Sequence, residues 1–407
     1  MIIPSIDLMR GRAVQLRRGA ERVLEAPEDP RDLARRFAFY GEVAVVDLDA
    51  ALGQGDNRDL VRELCRLAPC RVGGGVRRED DVVDLIKAGA ARVIVGTAAS
   101  PEFLARFPPG WLMVALDARG GRTVDQGWRR DTGEPPAERA RRLQDHCSGF
   151  LFTQVDVEGT LAGVPLEPVR EVAAATRRPL TVAGGVRGLA DVRALEGLGC
   201  DAQVGMALYT GGLDLDEALA SRPDFSRGPL PTIAQDAGGQ VLMLAWSTAA
   251  SLRQALGARR GVYWSRSRQA LWRKGETSGH RQRLLGARYD CDADTLLFTV
   301  EQEGPACHTG RPTCFGPGTR FDLGTLRAII ASRRGADPGR SYSARLLADR
   351  DLVRAKLREE AEEVCAAAGR RDLVWELADL LYHATALMQA EGIDLSEVEA
   401  ELRGRHR

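Results

Sequence analysis

The first 224 residues repeat themselves, and no other feature limits the possible folds as much. GGGVR at 73–77 returns as AGGVR at 183–187, VGTAA at 95–99 as VGMAL at 204–208, and VDLDAAL at 46–52 as VDVEGTL at 155–161. The offset is 109 or 110 residues each time, so the region reads as two copies of one unit. Within it, eight apolar strand-like runs (IIPSID, VAVVDLD, CRVGGGV, ARVIVGT, LMVALDA, GFLFTQVDV, PLTVAGGV, DAQVGMA) alternate with helix-like stretches such as PRDLARRFAFYG. That alternation means β/α units on a parallel sheet. Eight strands in this length fit a (β/α)8, or TIM, barrel made of two half-barrels. Asp7 ends the first run and Asp117 the fifth, at the same offset. Strand ends point into the active-site face of such a barrel, so the two carboxylates should face each other across its mouth as base and acid. The plainer alternative is that both merely cap loops.

Each half carries a glycine pair after its third strand, Gly74–Gly75 and Gly184–Gly185. Each also has a glycine after its fourth, Gly96 before Thr97 and Gly205 before Met206. Glycine lets backbone N–H groups approach a phosphate, and a following helix N-terminus favours the anion. Two such sites in register predict a substrate with a phosphate at each end. The stretches IIPSIDLMRGRAVQL, VVDLDAALG, VGGGVR, VIVGTAA, VALDARGGRTVDQGW and AGGVRGLADVRAL resemble the phosphoribosyl isomerases of histidine biosynthesis. The resemblance implies an Amadori rearrangement of an aminoaldose to an aminoketose, with Asp7 as base, Asp117 as acid and Thr153 assisting. The usual family pattern has Arg where Gln15 stands, Ser at Gly73, an acid at Gln154 and Asp at Glu158. A sister cyclase barrel shares the repeat, but IIPSID and GWRRDTG fit the isomerase better.

A second constellation lies at 290–314, DCDADTLLFTVEQEGPACHTGRPTC. Thiolates select soft metals such as zinc, and carboxylates select magnesium. If DCDAD is extended, Asp290, Asp292 and Asp294 share one face and Cys291 takes the other. Cys307 and Cys314 follow, with His308 beside the first. Three cysteines without a fourth ligand suit an open zinc site that keeps a water. Unrelated core cysteines beside a solvated acidic turn are the bland alternative. Upstream, YWSRSRQALWRKGETSGH places Ser265, Arg266, Ser267, Arg268 and Lys274 where a phosphate could bind, with Trp272 available to stack on a base or to pack in the core. Residues 230–316, through AQDAGGQVLMLAW, this run, DCDAD and ACHTGRPTCF, closely resemble phosphoribosyl-AMP cyclohydrolase. The resemblance implies a small α+β metal-binding domain that opens an adenine ring hydrolytically. It implies zinc on Cys291, Cys307 and Cys314, and magnesium on Asp290, Asp292 and Asp294. Zinc lowers the pKa of a bound water, and His280 or His308 could shuttle the proton. The family's zinc ligands come from two subunits, which implies a homodimer.

Proline and glycine breaks at 221–231 and 315–322 read as linkers. Beyond the second the chain reads as helices. Glu359, Glu360 and Glu363 form E-E-x-x-E, and Glu376 and Asp379 form E-x-x-D on the next helix. Spacings of three and four put such acids on one face. Leu373, Trp375, Leu377, Leu380 and Leu381 flank the second pair, so that face should abut a core. Five such acids suggest a magnesium site for phosphates. Residues 321–407 resemble phosphoribosyl-ATP pyrophosphohydrolase, an all-α fold, through SYSARLL, KLREEAEEV and ELADLLYH. The resemblance implies magnesium on all five acids and further contact between subunits.

Formal net charge is zero, which argues against a general binder of nucleic acid or membrane surfaces. No apolar run approaches a membrane span, the N-terminal charges follow rather than precede the apolar run, and eight cysteines in 407 residues are no disulfide framework, so a cytoplasmic home is expected. The reading is thus one polypeptide for three consecutive reactions on phosphoribosyl nucleotides. The alternatives are a two-step enzyme on a non-catalytic barrel, and a structural zinc knuckle for nucleic acid.

Overall fold

The computed structural model describes all residues except 20, 317–320, 322, 406 and 407, together with the side chains of all but these and 400 and 403–405. Most of the expected linker at 315–322 therefore lies outside the described residues. Met1–Pro312 groups with the end of the chain from Glu401 as one compact unit, and Thr313–Ala400 forms a second.

Eight parallel strands close the barrel: β1 (Ile2–Met9), β2 (Val43–Asp47), β3 (Cys70–Gly73), β4 (Arg92–Val95), β5 (Leu112–Arg119), β6 (Gly149–Gln154), β7 (Leu180–Ala183) and β8 (Asp201–Val204). They pair in sequence order, and β8 returns to β1 with Ile2 opposite Ala202. These are the eight runs read from the sequence. They are near-continuously apolar because a parallel strand is covered on both faces. The helix Pro30–Ala38 shows how the covering layer forms. Asp29 caps it by accepting from Arg31 N–H, proline takes its first position, and Leu33, Ala34 and Phe37 fall on the buried face. Ile94, Met113, Leu151 and Ala183 fill the barrel interior. Nearer the N-terminal ends of the strands, buried Arg71 pairs with Glu42 and donates to Thr181 at 2.8 Å, which plugs that end.

The next strands are β9 (Leu230–Gln235), β10 (Val241–Ser247), β11 (Val262–Ser265), β12 (Ala270–Arg273), β13 (Gln282–Tyr289) and β14 (Leu296–Gln302). Four of them form a sheet in the order β10-β9-β14-β13, and β11 and β12 form a hairpin. This domain does not hang from the linker; it shares a core with the barrel. Phe39, Leu219 and Ala220 of the barrel pack with Leu284, Ala287 and Phe298. Arg259 sits 4.0 Å over the Phe39 ring and donates to Asp216 at 2.7 Å and to the Tyr40 hydroxyl at 2.9 Å. Ala287 N–H donates to Phe39 O at 3.2 Å. Phe39 and Ala220 lie at helix C-termini, and Glu196, which contacts Tyr289, ends the helix before β8. Barrel helices run against the strands, so the small domain is docked on the barrel end opposite the C-terminal strand ends.

The second unit is helical: Leu323–Ala331, Tyr342–Ala348, Arg350–Ala366, Arg370–Glu391 and Leu395–Arg405. Ile330, Leu346, Val353 and Ala386 make its small core. One expectation fails here. Leu373, Trp375, Leu377 and Leu381 are exposed, Trp375 by 70 %. Among the described residues, the helices that pack on Arg370–Glu391 do not cover these side chains.

Candidate active sites

A cavity of about 230 Å³ opens at the C-terminal ends of the barrel strands. Asp7 and Asp117 both line it, as do Gly74, Gly75, Gly96 and Thr97 from one half and Gly184, Gly185, Gly205 and Met206 from the other. The half-barrel correspondence thus brings every barrel residue singled out from the repeat to one place. Thr153 stands beside Asp117, because β5 and β6 pair with these two residues opposite each other. Asp7 accepts from the Ser5 hydroxyl at 2.7 Å, yet burial pushes its pKa up to about 6. Burial also raises Asp117, against the lowering effect of its bonds from Trp128 and Thr153. Both shifts arise because a charged carboxylate loses water at the floor of a cavity.

The glycines have a second reason to be glycine. Gly74 has φ +100°, and a Cβ there would meet Asp47 O at 2.2 Å. Gly184 has φ +94° and would meet Gln154 O at 2.6 Å. Each turn is forced against the carbonyl of the preceding strand end, so an alanine would displace backbone before it met any phosphate.

Two lining residues carry more than their sequence signal suggested. Trp128, at φ +65°, donates from Nε1 to Asp117 at 2.8 Å, and its ring fills the space beside Gly19. Glu158 accepts from Gly19 N–H at 3.2 Å; burial and then the charge of Asp7 push its pKa up to about 7. Trp128 sat inside the quoted GWRRDTG, but nothing in its spacing tied it to Asp117.

In the small domain, DCDAD is not extended. Residues 291–294 form the turn between β13 and β14, with Ala293 at φ +61°, because Asp290 accepts from Asp294 and Thr295 N–H at 3.1 Å and bends the chain. The alternation argument therefore fails. The three aspartates nonetheless converge, each offering an oxygen within 4.8 Å of the others, all exposed. The described residues hold two such groups of metal-capable side chains, and no cysteine belongs to either. Cys291 and Cys314 are exposed, and Cys307 lies 3.1 Å from the Thr309 hydroxyl and 3.9 Å from His308 Nδ1. Lys274 Nζ donates to Ala306 O at 2.7 Å, next to Cys307. Ser265 accepts from Arg268 and lies 3.4 Å from Ser267, on the turn between β11 and β12. Arg266 stacks 4.3 Å from the Trp246 ring. Trp272 packs on buried Tyr263, so of its two expected roles the core one is filled. His280 is half-buried, with its Nδ1 close against Gly304.

In the helical unit, Glu360, Glu376 and Asp379 form the second group within 4.8 Å. Glu363 bonds Glu376, and Glu359 pairs instead with Lys356. Burial and neighbouring acids raise the pKa of Glu376, and burial raises that of Glu360 against the opposing pull of His383. His383, buried, gives Nδ1–H to Asp379 O at 2.9 Å and lies 3.5 Å from Glu360; its Nε2 shares a 2.9 Å hydrogen bond with the Tyr342 hydroxyl. No sequence spacing pointed to His383 or Tyr342. Both oxygen-only clusters have the donor chemistry magnesium prefers.

Residues 1–214 match the family described as histidine biosynthesis protein, 243–316 match phosphoribosyl-AMP cyclohydrolase, and 323–406 match phosphoribosyl-ATP pyrophosphohydrolase. The histidine biosynthesis bifunctional protein HisIE of Synechocystis sp. is 44% identical over 194 residues, covering 44% of this chain and 90% of that protein. The protein of the same name from Bacillus subtilis is 43% identical over 192 residues, 44% of this chain and 92% of its own length. The histidine biosynthesis trifunctional protein of Neurospora crassa is 33% identical over 335 residues, 79% of this chain but 35% of that protein.

Proposed function

The chain belongs to the histidine biosynthesis protein family and carries isomerase, cyclohydrolase and pyrophosphohydrolase domains for three steps of that pathway, and we propose the following division of labour among its residues. In the barrel, Asp117 donates a proton to the ribose ring oxygen as the ring opens, and Asp7 removes the C2 proton. One observation carries this reading: both acids and eight phosphate-site residues share one cavity. Thr153 and Trp128 hold Asp117 in place, and the two glycine-lined turns anchor the substrate's ends.

In the small domain Ser265, Arg266, Ser267, Arg268 and Lys274 bind the nucleotide's phosphate, with Asp290, Asp292 and Asp294 as magnesium ligands. Cys291, Cys307 and Cys314 hold zinc, completed between two copies of the chain. A zinc ion would supply Lewis acidity and an activated water for attack on the adenine ring. His280 moves the proton. In the helical domain Glu359, Glu360, Glu363, Glu376 and Asp379 serve magnesium, which would neutralise charge on the leaving pyrophosphate. The exposed apolar face around Trp375 is covered by a second copy, so the protein is a homodimer through its cyclohydrolase and helical domains. The zero formal net charge and small-molecule sites fit a cytoplasmic enzyme with no nucleic-acid partner.

Feeding phosphoribosyl-ATP to the purified protein should yield phosphoribosyl-AMP, then the ring-opened aminoaldose, then the aminoketose. Accumulation of the aminoaldose would leave the barrel a scaffold. Cys307→Ser should stop the sequence at phosphoribosyl-AMP and lower bound zinc, because a hydroxyl is a poorer soft-metal ligand. Pyrophosphate release should continue. Ring opening at full rate in a zinc-depleted Cys307→Ser sample would remove the assignment.

The docking of the small domain on the plugged end of the barrel has a kinetic consequence. The barrel interior is packed, so the aminoaldose crosses solvent to reach the cavity at the other end. Labelled phosphoribosyl-AMP turned over amid excess unlabelled aminoaldose should give aminoketose diluted to the label content of the pool. Undiluted product would mean direct transfer.

A further inference from the structure

We propose that Arg139 is the buried cation of the first-half phosphate site, acting through the Gly96–Ala99 turn as a positioning residue. The proposal rests on the isomerase reading of the barrel. Arg139 stands on the helix Pro136–Leu143 and is only 6 % exposed, which is unusual for a side chain that cannot lose its charge. Its Nη2 donates to Gly96 O at 3.2 Å and Ala99 O at 3.3 Å. A trans peptide holds the Thr97 N–H antiparallel to the Gly96 carbonyl, so anchoring that carbonyl fixes the direction of the amide. The turn's two carbonyls are also kept from facing an anion.

The charge itself is under-compensated. Among the described residues, the carboxylate within ion-pair reach of Arg139 is Glu134, at 3.5 Å. Glu134 is already taken by Arg142, which bonds it at 2.8, 2.9 and 3.0 Å. Two guanidinium groups share Glu134, and the other carboxylates whose charges reach Arg139, Asp117 and the Arg130-bonded Asp125, make no ion pair with it. Burying a charge with only a shared, 3.5 Å partner is costly, so a further partner should come from outside the chain. Of the three buried side-chain atoms of the described residues that lack a hydrogen-bond partner, Arg139 Nε is an N–H donor that an anion would satisfy and Thr123 Oγ1 a hydroxyl that could donate to one; both residues line the barrel cavity, whereas the third, Gln203 Oε1, is an acceptor on β8 of the other half. Burial works against the charge of Arg139, and Glu134 and Asp125 offset that only in part. The second-half turn is built differently. There a Cβ on Gly205 would meet Gln15 Oε1 at 2.4 Å, so a buried neutral amide stands behind that turn. The two ends of a bisphosphorylated substrate are therefore held unequally, more strongly at the Gly96–Thr97 end.

The test uses the full chain carrying Asp7→Asn, so that binding is measured without turnover. Adding Arg139→Met, which keeps the apolar stem, should weaken binding of the bisphosphorylated aminoaldose about tenfold or more. Arg139→Lys should recover part of the loss, since one ammonium keeps the charge but cannot hold both carbonyls. In an otherwise unmutated chain, Arg139→Met should raise KM by a similar factor and leave kcat nearly unchanged. An unaltered dissociation constant with a lowered melting temperature would make Arg139 a purely structural residue and overturn the proposal. If the unmutated chain proves inactive as an isomerase while Arg139→Met still weakens binding, the site stands and the activity reading falls.

Discussion

Replacing Asp7 by Asn should stop isomerisation and at the same time make the protein more stable above pH 6. The loss in turnover follows from removing the base; about a thousandfold or more is expected, the upper part of the range for a positioned proton acceptor. Substrate affinity should change little, since the phosphates are held by the glycine turns. That split marks an interaction made only in the transition state. The gain in stability follows from the sign of the pKa shift. The folded-state pKa of Asp7 is raised to about 6 by burial, so the folded chain binds the proton more tightly than the unfolded one. Stability therefore falls as pH rises from about 4, where an unfolded Asp titrates, to about 6, and the penalty persists above. Asn removes it. The melting temperature of the variant should exceed that of the parent at pH 7, and the two should converge near pH 4. In the parent, kcat/KM for isomerisation should fall as pH drops through about 6, because the base protonates. An active Asp7→Asn chain, or one equally stable at every pH, would sink the assignment.

Glu360→Gln should reduce pyrophosphate release at least about a hundredfold, since it removes one charge from a group of acids that must hold the metal. Glu360 is buried, sits within 4.8 Å of Glu376 and Asp379, and is held beside His383. Phosphoribosyl-AMP supplied directly should still be opened, because the aspartates and cysteines of the small domain are untouched. The metal-free variant should also melt higher than the metal-free parent. Crowded, partly buried acids raise each other's pKa, and one fewer charge relieves that repulsion. Magnesium should stabilise the parent more than the variant. Loss of both activities together would mean that the two reactions share a site.

Particular residues show what could be read in advance. Asp7 and Asp117 were legible because the half-barrel repeat put them at equivalent strand ends, and a closed barrel sends all such ends to one mouth. The aspartates of DCDAD stand out by composition, but strand alternation does not place them, because a side chain's bond to nearby backbone overrides it. Glu376 and Asp379 were legible from helical spacing, whereas the core expected around Trp375 was not there in one chain. Trp128, Arg139, His383 and Tyr342 carry no spacing that marks them as site residues, and Glu158 stands out only as a departure from the family pattern. Each matters through a partner at a distance in sequence that no periodicity encodes.

The sequence by itself determined the order of the three domains, the barrel with its doubled active-site half, and the acids that cluster in each site. These follow from local periodicity and from repetition, which act over a few residues or over a fixed offset. Only the tertiary structure decided how acidic Asp7 and Asp117 are, since burial depends on everything packed around them. It alone decided that the small domain docks on the closed end of the barrel, through Phe39 and Arg259, 220 positions apart in the chain. Such contacts arise from the shape of two finished surfaces, and no short stretch of sequence contains them.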